Sequence, residues 1–203
     1  MAVPESQVEH AAGSTKSSPQ GSVKILAEVA IMVSLATVLN SVKIFTFPEG
    51  GSITLGAMVP ILYIALRRGV KVGVLSGAVF GLIDLYFEYF VYNPIQFLLD
   101  YPLAFASLGL AGLLAGRTER LEAGGRKRSA AASSVIGVAV GISGRFVCHF
   151  LSGLIFFGSY APPGESPAVY SAVYNASYLI PELFISAFAI FVLTHRGALR
   201  IGK

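Results

Sequence analysis

Residues 131–157 read AASSVIGVAVGISGRFVCHFLSGLIFF, an apolar run whose one permanently charged side chain is Arg145. As a helix, the run is long enough to cross the roughly 30 Å hydrocarbon core of a bilayer. Its composition is typical of a transmembrane helix rather than of a helix with one polar face. This segment therefore predicts a membrane protein.

Five further apolar runs flank it, at residues 24–45, 54–66, 70–91, 95–115 and 168–194. Most approach the ~20 residues that a membrane helix requires. The run at 54–66 is shorter and contains Gly56 and Pro60, which predicts a partial or bent helix held among its neighbours. The predicted fold is an all-α integral membrane protein of six transmembrane helices, the second short or bent.

The composition excludes other classes of protein. Of 203 residues, 54% are hydrophobic and 13% charged, and the mean hydropathy is +0.70, which leaves too few polar side chains to cover a soluble domain. The net charge of +4 would suggest nucleic acid in a soluble protein, but membrane topology explains it here. A single cysteine, Cys148, excludes an intrachain disulfide and a cysteine-based metal cluster, and no spacing of His, Cys or Asp predicts a metal site.

The N-terminal region differs from the rest of the chain. Residues 1–21 are rich in Ser, Gly, Ala and Pro and lack a continuous apolar core, so we predict a disordered polar tail rather than a signal peptide. Residues 22–203 are predicted to form one membrane-embedded domain.

Basic side chains flank alternate ends of the runs, which predicts the sidedness of the membrane domain. The connections at 46–53, 92–94 and 158–167 contain no Lys or Arg and are expected outside the cell membrane. Both termini are then cytoplasmic. The basic residues on the predicted cytoplasmic side are Arg67, Arg68, Lys71, Arg117, Arg120, Arg126, Lys127, Arg128, Arg196, Arg200 and Lys203.

Small residues at intervals of four predict close helix packing in the third and fifth runs. The first run contains a similar step, Ala30 and Ser34, with Glu28 nearby. For this step the residues alone favour equally packing inside the bundle and docking of a second membrane protein.

Polar side chains inside apolar spans are costly and point to function. They gather in the predicted external half of the fourth, fifth and sixth runs: Gln96, Asp100, Tyr101, Arg145, His149, Tyr170, Tyr174, Asn175, Tyr178 and Glu182. A carboxylate, an imidazole, an amide and aromatic rings suit a small organic cation with a flat heteroaromatic ring.

Each of these residues also has a structural explanation. Asp100 and Arg145 can form a neutralising ion pair, and His149 can be an interior hydrogen-bonded histidine. The tyrosines can form an interfacial belt. Motifs of metalloproteases, serine hydrolases and P-loop ATPases are absent from the sequence, so we do not expect an enzyme.

Five stretches carry a resemblance to a known family: PEGGSITLGAMVPIL at 48–62, ALRRG at 65–69, LLDYPLAF at 98–105, RFVCHFLSGLIFFGSYAPPG at 145–164 and YNASYLIPE at 174–182. Together they resemble the thiamine-specific substrate-binding (S) components of energy-coupling-factor (ECF) transporters. The resemblance extends from about Lys24 to His195.

The resemblance implies a six-helix bundle that captures thiamine from outside with high affinity and requires no cofactor. It implies partnership with a membrane coupling subunit and two cytoplasmic ATPases, which supply ATP hydrolysis. Ala30 and Ser34 match the surface of the family that docks on the coupling subunit.

The resemblance also assigns roles to residues. Asp100 matches the acidic residue facing the ligand, and the other implied ligand contacts are Tyr101, Arg145, His149, Phe157, Tyr170 and Asn175. Phe80 and Phe157 stand where some relatives stack tryptophan, and this chain has no Trp. The first external loop, with Glu49, Gly50, Gly51 and Ser52, matches the gate over the ligand.

Alternatives to a thiamine-binding S component are an S component for a thiamine precursor or another vitamin, an intramembrane hydrolase and a structural membrane protein.

Overall fold

The computed structural model describes residues 19–48, 50–87 and 91–199 of the chain. The elements in chain order are α1 (Pro19–Asn40), β1 (Lys43–Thr46), β2 (Ser52–Thr54), α2 (Val59–Arg68), α3 (Val70–Phe87), α4 (Pro94–Ala123), α5 (Lys127–Phe156) and α6 (Pro167–His195). Within the described residues, α1, α3, α4, α5 and α6 are long and apolar enough to cross a membrane. The predicted all-α membrane fold with a short second helix is confirmed.

The tail predicted at 1–21 overlaps the first helix. Helix α1 begins at Pro19, so the last three residues of that region are helical. Residues 1–18 lie outside the part of the chain that the structure describes.

The first two apolar runs end differently from the prediction. Helix α1 ends at Asn40, and residues 41–45, assigned to the first helix, instead enter an antiparallel hairpin in which β1 pairs with β2. Val42, Ile44 and Phe45 are β-branched or aromatic residues, which favour a strand. Helix α2 begins only at Val59, beyond a turn in which Gly56 has a φ of 84°. The hairpin places a short β-element at one end of the helical bundle.

Helix α4 is a continuous span with an irregular course. It passes through a π-helical turn at Leu99–Leu103 and a 3₁₀ stretch at Leu108–Leu114. Pro102 lies inside the π-helical turn, where its missing N–H removes one backbone hydrogen bond. The wide turn brings Asp100 and Tyr101 to the end of the bundle that contains the hairpin.

Helix α3 packs against α4 through its glycines, as the sequence predicted. A Cβ added to Gly77 would collide with the backbone carbonyl oxygen of Phe105, and Gly73 and Gly81 also face α4 closely. On α5, Gly137 and Gly141 make the corresponding close approach to α4. Small residues therefore allow these helix backbones to pack tightly.

The core lies where α2, the middle of α4 and the inner faces of α5 and α6 meet. Its fully buried side chains include Ile61, Leu62, Phe80, Leu108 and Val138. Outward faces of the long helices are apolar as well: Phe184 and Phe188 on α6 are 69% and 73% exposed. Large apolar side chains on the outside of a helical bundle are suited to contact with the hydrocarbon core of a bilayer rather than with water.

Basic side chains gather at the end of the bundle opposite the hairpin. Arg68 forms a two-pronged ion pair with Glu28 of α1, with N···O distances of 2.7 and 2.6 Å, and Arg67 lies 3.7 Å from the same carboxylate. The Tyr63 hydroxyl donates a hydrogen bond to the carbonyl oxygen of Ala198, in the turn that follows α6. These contacts tie α1, α2 and the C-terminal turn together.

Candidate functional site

A cavity of about 440 Å³ opens at the hairpin end of the bundle, a size within the range of small-molecule pockets. The ends of α1, α3, α4, α5 and α6 and the hairpin all contribute to its wall. The lining residues are Asn40, Gly50, Gly51, Ser52, Asp84, Phe87, Gln96, Asp100, Tyr101, Phe105, Arg145, His149, Gly153, Phe157, Tyr170, Ser171, Tyr174, Asn175 and Tyr178. Of the polar residues that the sequence placed at membrane depth, all but Glu182 line this one cavity.

Asp100 is the centre of a hydrogen-bond network in this wall. Its Oδ1 lies 3.0 Å from His149 Nδ1. Its Oδ2 accepts from Gln96 Nε2 and from Ser152 Oγ, both at 2.7 Å. A carboxylate offers about four acceptor positions, so three are occupied by the protein. The network fixes the carboxylate in orientation and leaves acceptor capacity for a guest.

Arg145 determines the tautomer of His149. The Arg145 Nε–H donates to His149 Nε2 at 3.1 Å, and a guanidinium can only donate. His149 Nε2 is therefore an acceptor, and the ring proton sits on Nδ1, from which it is donated to Asp100. The Arg145 guanidinium also stacks over the Phe105 ring, 4.0 Å from its centroid.

This arrangement bears on the two structural explanations given above, an ion pair of Asp100 with Arg145 and an interior hydrogen-bonded role for His149. Among the described residues, no ion pair joins Asp100 directly to Arg145, and the imidazole of His149 lies between them as a bridge. Both nitrogens of His149 are engaged by protein atoms. The interior hydrogen-bonded role of His149 is therefore present in the structure alongside its place in the cavity wall.

Asn175 is held by α6 and α5 rather than free to rotate. Its Nδ2 donates to the carbonyl oxygens of Ser171, at 2.8 Å, and of His149, at 3.3 Å. Its Oδ1 accepts the Tyr178 hydroxyl at 2.6 Å. Since an amide oxygen has two lone pairs, one acceptor position remains for a ligand in the cavity.

Aromatic rings form the remaining walls. Tyr170 and Tyr174 stack on each other at the start of α6, with centroids 6.0 Å apart and an interplanar angle of 29°. Phe157, at the end of α5, meets Tyr92 edge to face at 5.9 Å. The hydrogen bond with Tyr160 raises the pKa of Tyr92. Phe157, Tyr170 and Tyr174 all line the cavity, and flat rings in its wall suit a flat guest.

The hairpin contributes its tip to the cavity. Gly50, Gly51 and Ser52 all line the space, and the Gly51 N–H donates to the Tyr174 hydroxyl at 3.2 Å. A Cβ on Gly51 would lie 2.6 Å from a ring carbon of Tyr178, so a side chain there would push the tip away. Glu49, predicted with them as a gate residue, lies outside the described residues.

Phe80 is a correction to the sequence-based site. The structure places its side chain in the core, fully buried and edge to face with Phe105 at 4.7 Å, and it does not line the cavity. A phenylalanine in an apolar helix carries no signal for the direction it faces. Phe80 supports the wall from behind, through Phe105.

Sequence reasoning missed several lining residues. Asp84 on α3 accepts from Asn40 Nδ2 at 2.6 Å, and its charge inside an apolar run was a signal of the same kind as that of Asp100. Ser171 gave no such signal, because serine is common in membrane helices. Nor did Ser152, which does not line the cavity but donates to Asp100. Phe105 and Phe87 were likewise indistinguishable from core residues.

The pair of small residues on α1 that was predicted as a docking surface is accessible. Ala30 and Ser34 are both exposed on the outer surface of the bundle, so they do not serve packing inside it. No group of three or more His, Cys, Asp or Glu side chains suited to a metal ion occurs among the described residues.

Residues 26–200 match the family model described as thiamine transporter protein. The chain is 37% identical over 171 residues to the thiamine transporter ThiT of Bacillus subtilis, covering 83% of this chain and 88% of that protein. It is 30% identical over 173 residues to the thiamine transporter ThiT of Lacticaseibacillus paracasei, covering 83% and 86%.

The fold has a counterpart among solved structures. A structure of ThiT from Listeria monocytogenes superposes with a TM-score of 0.79 at 26% sequence identity. The match covers 87% of this chain and 96% of the Listeria chain.

Proposed function

The chain belongs to the thiamine transporter protein family, and from that premise we propose that it is the thiamine-binding S component of an ECF uptake transporter. As a member of this family it is a multi-pass membrane transporter protein rather than an enzyme. In the proposed role it captures thiamine with high affinity and relies on a coupling subunit and two cytoplasmic ATPases for energy.

The observation that carries the proposal is the cavity around Asp100. Thiamine is a permanent cation with an aminopyrimidine ring, and the cavity offers a fixed carboxylate, an amide oxygen and aromatic walls. Charge-assisted contacts and stacking on tyrosine faces act on different parts of such a ligand. We assign the counter-charge to Asp100, hydrogen bonding to Asn175, and stacking to Tyr170 and Phe157.

The distribution of charge supports a cavity that faces outward. The cavity lies at the hairpin end, whereas Arg67, Arg68, Arg117 and Arg126 lie at the other end. Basic side chains beside membrane spans favour the cytoplasmic side. The basic end and both termini are then cytoplasmic, and the hairpin covers an external binding site as a gate.

The exposed pair of small residues Ala30 and Ser34 supports docking of the coupling subunit on α1. Small side chains on an open helix surface permit close approach of a second helix. Helix α1 is also the least buried of the long helices: only 11% of its most apolar 18-residue stretch is buried in the bundle. A helix with so much of its surface open suits a membrane partner.

Binding of thiamine to the purified protein in detergent, without ATP or partner subunits, tests the capture function. A saturable rise in thermal stability is expected, since ligand binding stabilises the folded state by RT ln(1 + [L]/Kd). Absence of any shift at saturating thiamine would contradict it. Co-purification of a coupling subunit and ATPases with the wild type, and its loss in Ala30→Phe, tests the assembly separately.

A further inference from the structure

Glu182 is a buried carboxylate that the binding site described above does not use. It lies on α6, is 3% exposed, and faces the base of the hairpin rather than the cavity lining. Its Oε1 accepts hydrogen bonds from both the backbone N–H and the hydroxyl of Thr54, the last residue of β2, and the hydroxyl bond measures 2.6 Å. An ionisable side chain buried in a membrane bundle requires a role.

The hairpin rests on one face of α6. Tyr174, Tyr178 and Glu182 recur every four residues and so share that face. The tip of the hairpin contacts the first two through Gly51, and the base contacts the third through Thr54. The ring of Phe47, whose N–H donates to the carbonyl oxygen of Gly51, packs against the same two tyrosines, 6.0 Å from Tyr174 and 6.1 Å from Tyr178.

The two ends of this contact differ in strength. At the tip, one neutral hydrogen bond of 3.2 Å joins the Gly51 N–H to a partly buried hydroxyl. At the base, two donors of Thr54 meet one buried carboxylate oxygen. Two buried hydrogen bonds to one oxygen are harder to break than a single half-buried one. The tip therefore separates from α6 more easily than the base.

The base also has the features of a hinge. The Thr54 hydroxyl accepts the N–H of Ala57 at 3.1 Å, which connects the clamp to the start of α2. Between them, Gly56 has a φ of 84°, a backbone conformation that glycine adopts without strain. Hinges are formed by a few residues at the ends of elements that absorb changes in φ and ψ.

We propose that Glu182 is a positioning residue for the gate: its clamp on Thr54 holds the base of the hairpin on α6, so that the tip opens and closes over the cavity about residues 54–56. The proposal rests on the proposed thiamine-binding function for its kinetic consequence, but the clamp itself can be measured without ligand. Losing the clamp releases the whole hairpin rather than its tip, and bound thiamine then escapes faster.

The chain offers graded variants and a matched control. Glu182→Leu removes the acceptor at nearly the same volume. Glu182→Gln keeps an acceptor oxygen for Thr54 and replaces Oε2, which is buried without a hydrogen-bond partner among the described atoms, by an amide nitrogen. Thr54→Val keeps the backbone bond to Glu182 and removes both bonds of the hydroxyl, the one donated to Glu182 and the one accepted from Ala57 N–H. Ser186→Ala, one turn further along α6, is the control because Ser186 has no contact with Thr54.

The test is hydrogen–deuterium exchange of residues 43–54 without ligand, followed by rates of thiamine association and dissociation. Exchange and dissociation in Glu182→Leu should rise at least about tenfold, the consequence of losing both hydrogen bonds of a buried clamp, with association changed much less. Glu182→Gln should restore most of the protection, Thr54→Val should lie between, and Ser186→Ala should equal the wild type.

Equal exchange of the hairpin in Glu182→Leu and wild type would overturn the proposal. So would faster exchange spread along α6, because Glu182 would then support the helix rather than the gate. If Glu182→Leu does not fold, Thr54→Val and Glu182→Gln decide the matter, and unchanged hairpin exchange in Thr54→Val would count against the clamp. Failure of the wild type to bind thiamine would reject the proposed function and leave the exchange result standing.

Discussion

The two ends of the bundle use similar residues to different effect. At the hairpin end, Asp100, His149 and Arg145 form a chain of hydrogen bonds beside a cavity of about 440 Å³. At the opposite end, Glu28 and Arg68 pair directly, and a pocket next to Arg67 holds only about 20 Å³. At the basic end, the charged groups neutralise each other at short range and little space is left for a ligand. Charged groups separated by an imidazole, with an acceptor position to spare, leave the other end able to receive a ligand.

The largest expected effect is on stability and comes from Phe80, which lies in the core behind the cavity rather than in the cavity wall. Phe80→Ala should lower the free energy of unfolding by about 3–5 kcal/mol, as removal of a buried aromatic ring does, measured by thermal unfolding in detergent. Phe80→Leu should cost much less and leave thiamine affinity within about threefold. A large loss of affinity in a stable Phe80→Leu protein would instead show direct contact with the ligand.

The next effect concerns the carboxylate at the centre of the cavity end. Asp100→Ala should weaken thiamine binding by at least ~1.5–3 kcal/mol, because it removes a charge-assisted contact, measured by equilibrium binding. Glu28→Gln at the opposite end is the matched control and should bind as the wild type does. Equal affinities for Asp100→Ala and the control would refute the role assigned to Asp100.

A smaller effect is expected where Arg145 sets the histidine tautomer. Arg145→Met removes the donor to His149 Nε2 and lets the ring proton move away from Asp100, at a cost of about 0.5–1.5 kcal/mol in thiamine binding. Arg145→Lys retains a donor and should lie between the two proteins. The ring nitrogens of labelled His149 can be followed by NMR, and an unchanged tautomer in Arg145→Met would contradict this explanation.

The smallest effect belongs to the basic end. Arg68→Ala should destabilise the protein by about 0.2–1 kcal/mol, the usual contribution of a partly exposed ion pair, and should not alter thiamine affinity. Thermal unfolding and binding measured on the same preparation check both statements. A loss of affinity without a loss of stability would show that the two ends are coupled.

Sequence patterning predicted most of the fold because membrane helices must be apolar along their length. It failed at residues 41–45, since a short apolar run continuing from a helix cannot be distinguished from a strand by periodicity. It also gave no sign of the π-helical turn around Pro102, which depends on how α4 packs against α3 and α5.

The sequence drew attention to most of the polar residues that line the cavity, but it missed Asp84 and several neutral residues. Asp100, Arg145 and His149 are conspicuous in apolar runs, and all three line the cavity. Of the aromatic residues that the resemblance implied, Phe157 and Tyr170 line the cavity and Phe80 does not. An aromatic residue in a membrane helix can face the core, the lipid or a ligand, and the sequence alone does not distinguish these positions. Ser152 needed the structure, since its role follows from its distance to Asp100.

A structure of the protein determined with thiamine tests the central claim most directly. We expect the vitamin in the cavity at the hairpin end, with its ring beside the aromatic walls and a polar or cationic atom within contact distance of Asp100. Thiamine bound elsewhere, or a cavity in which Asp100 pairs with Arg145 and makes no contact with the vitamin, would contradict the account.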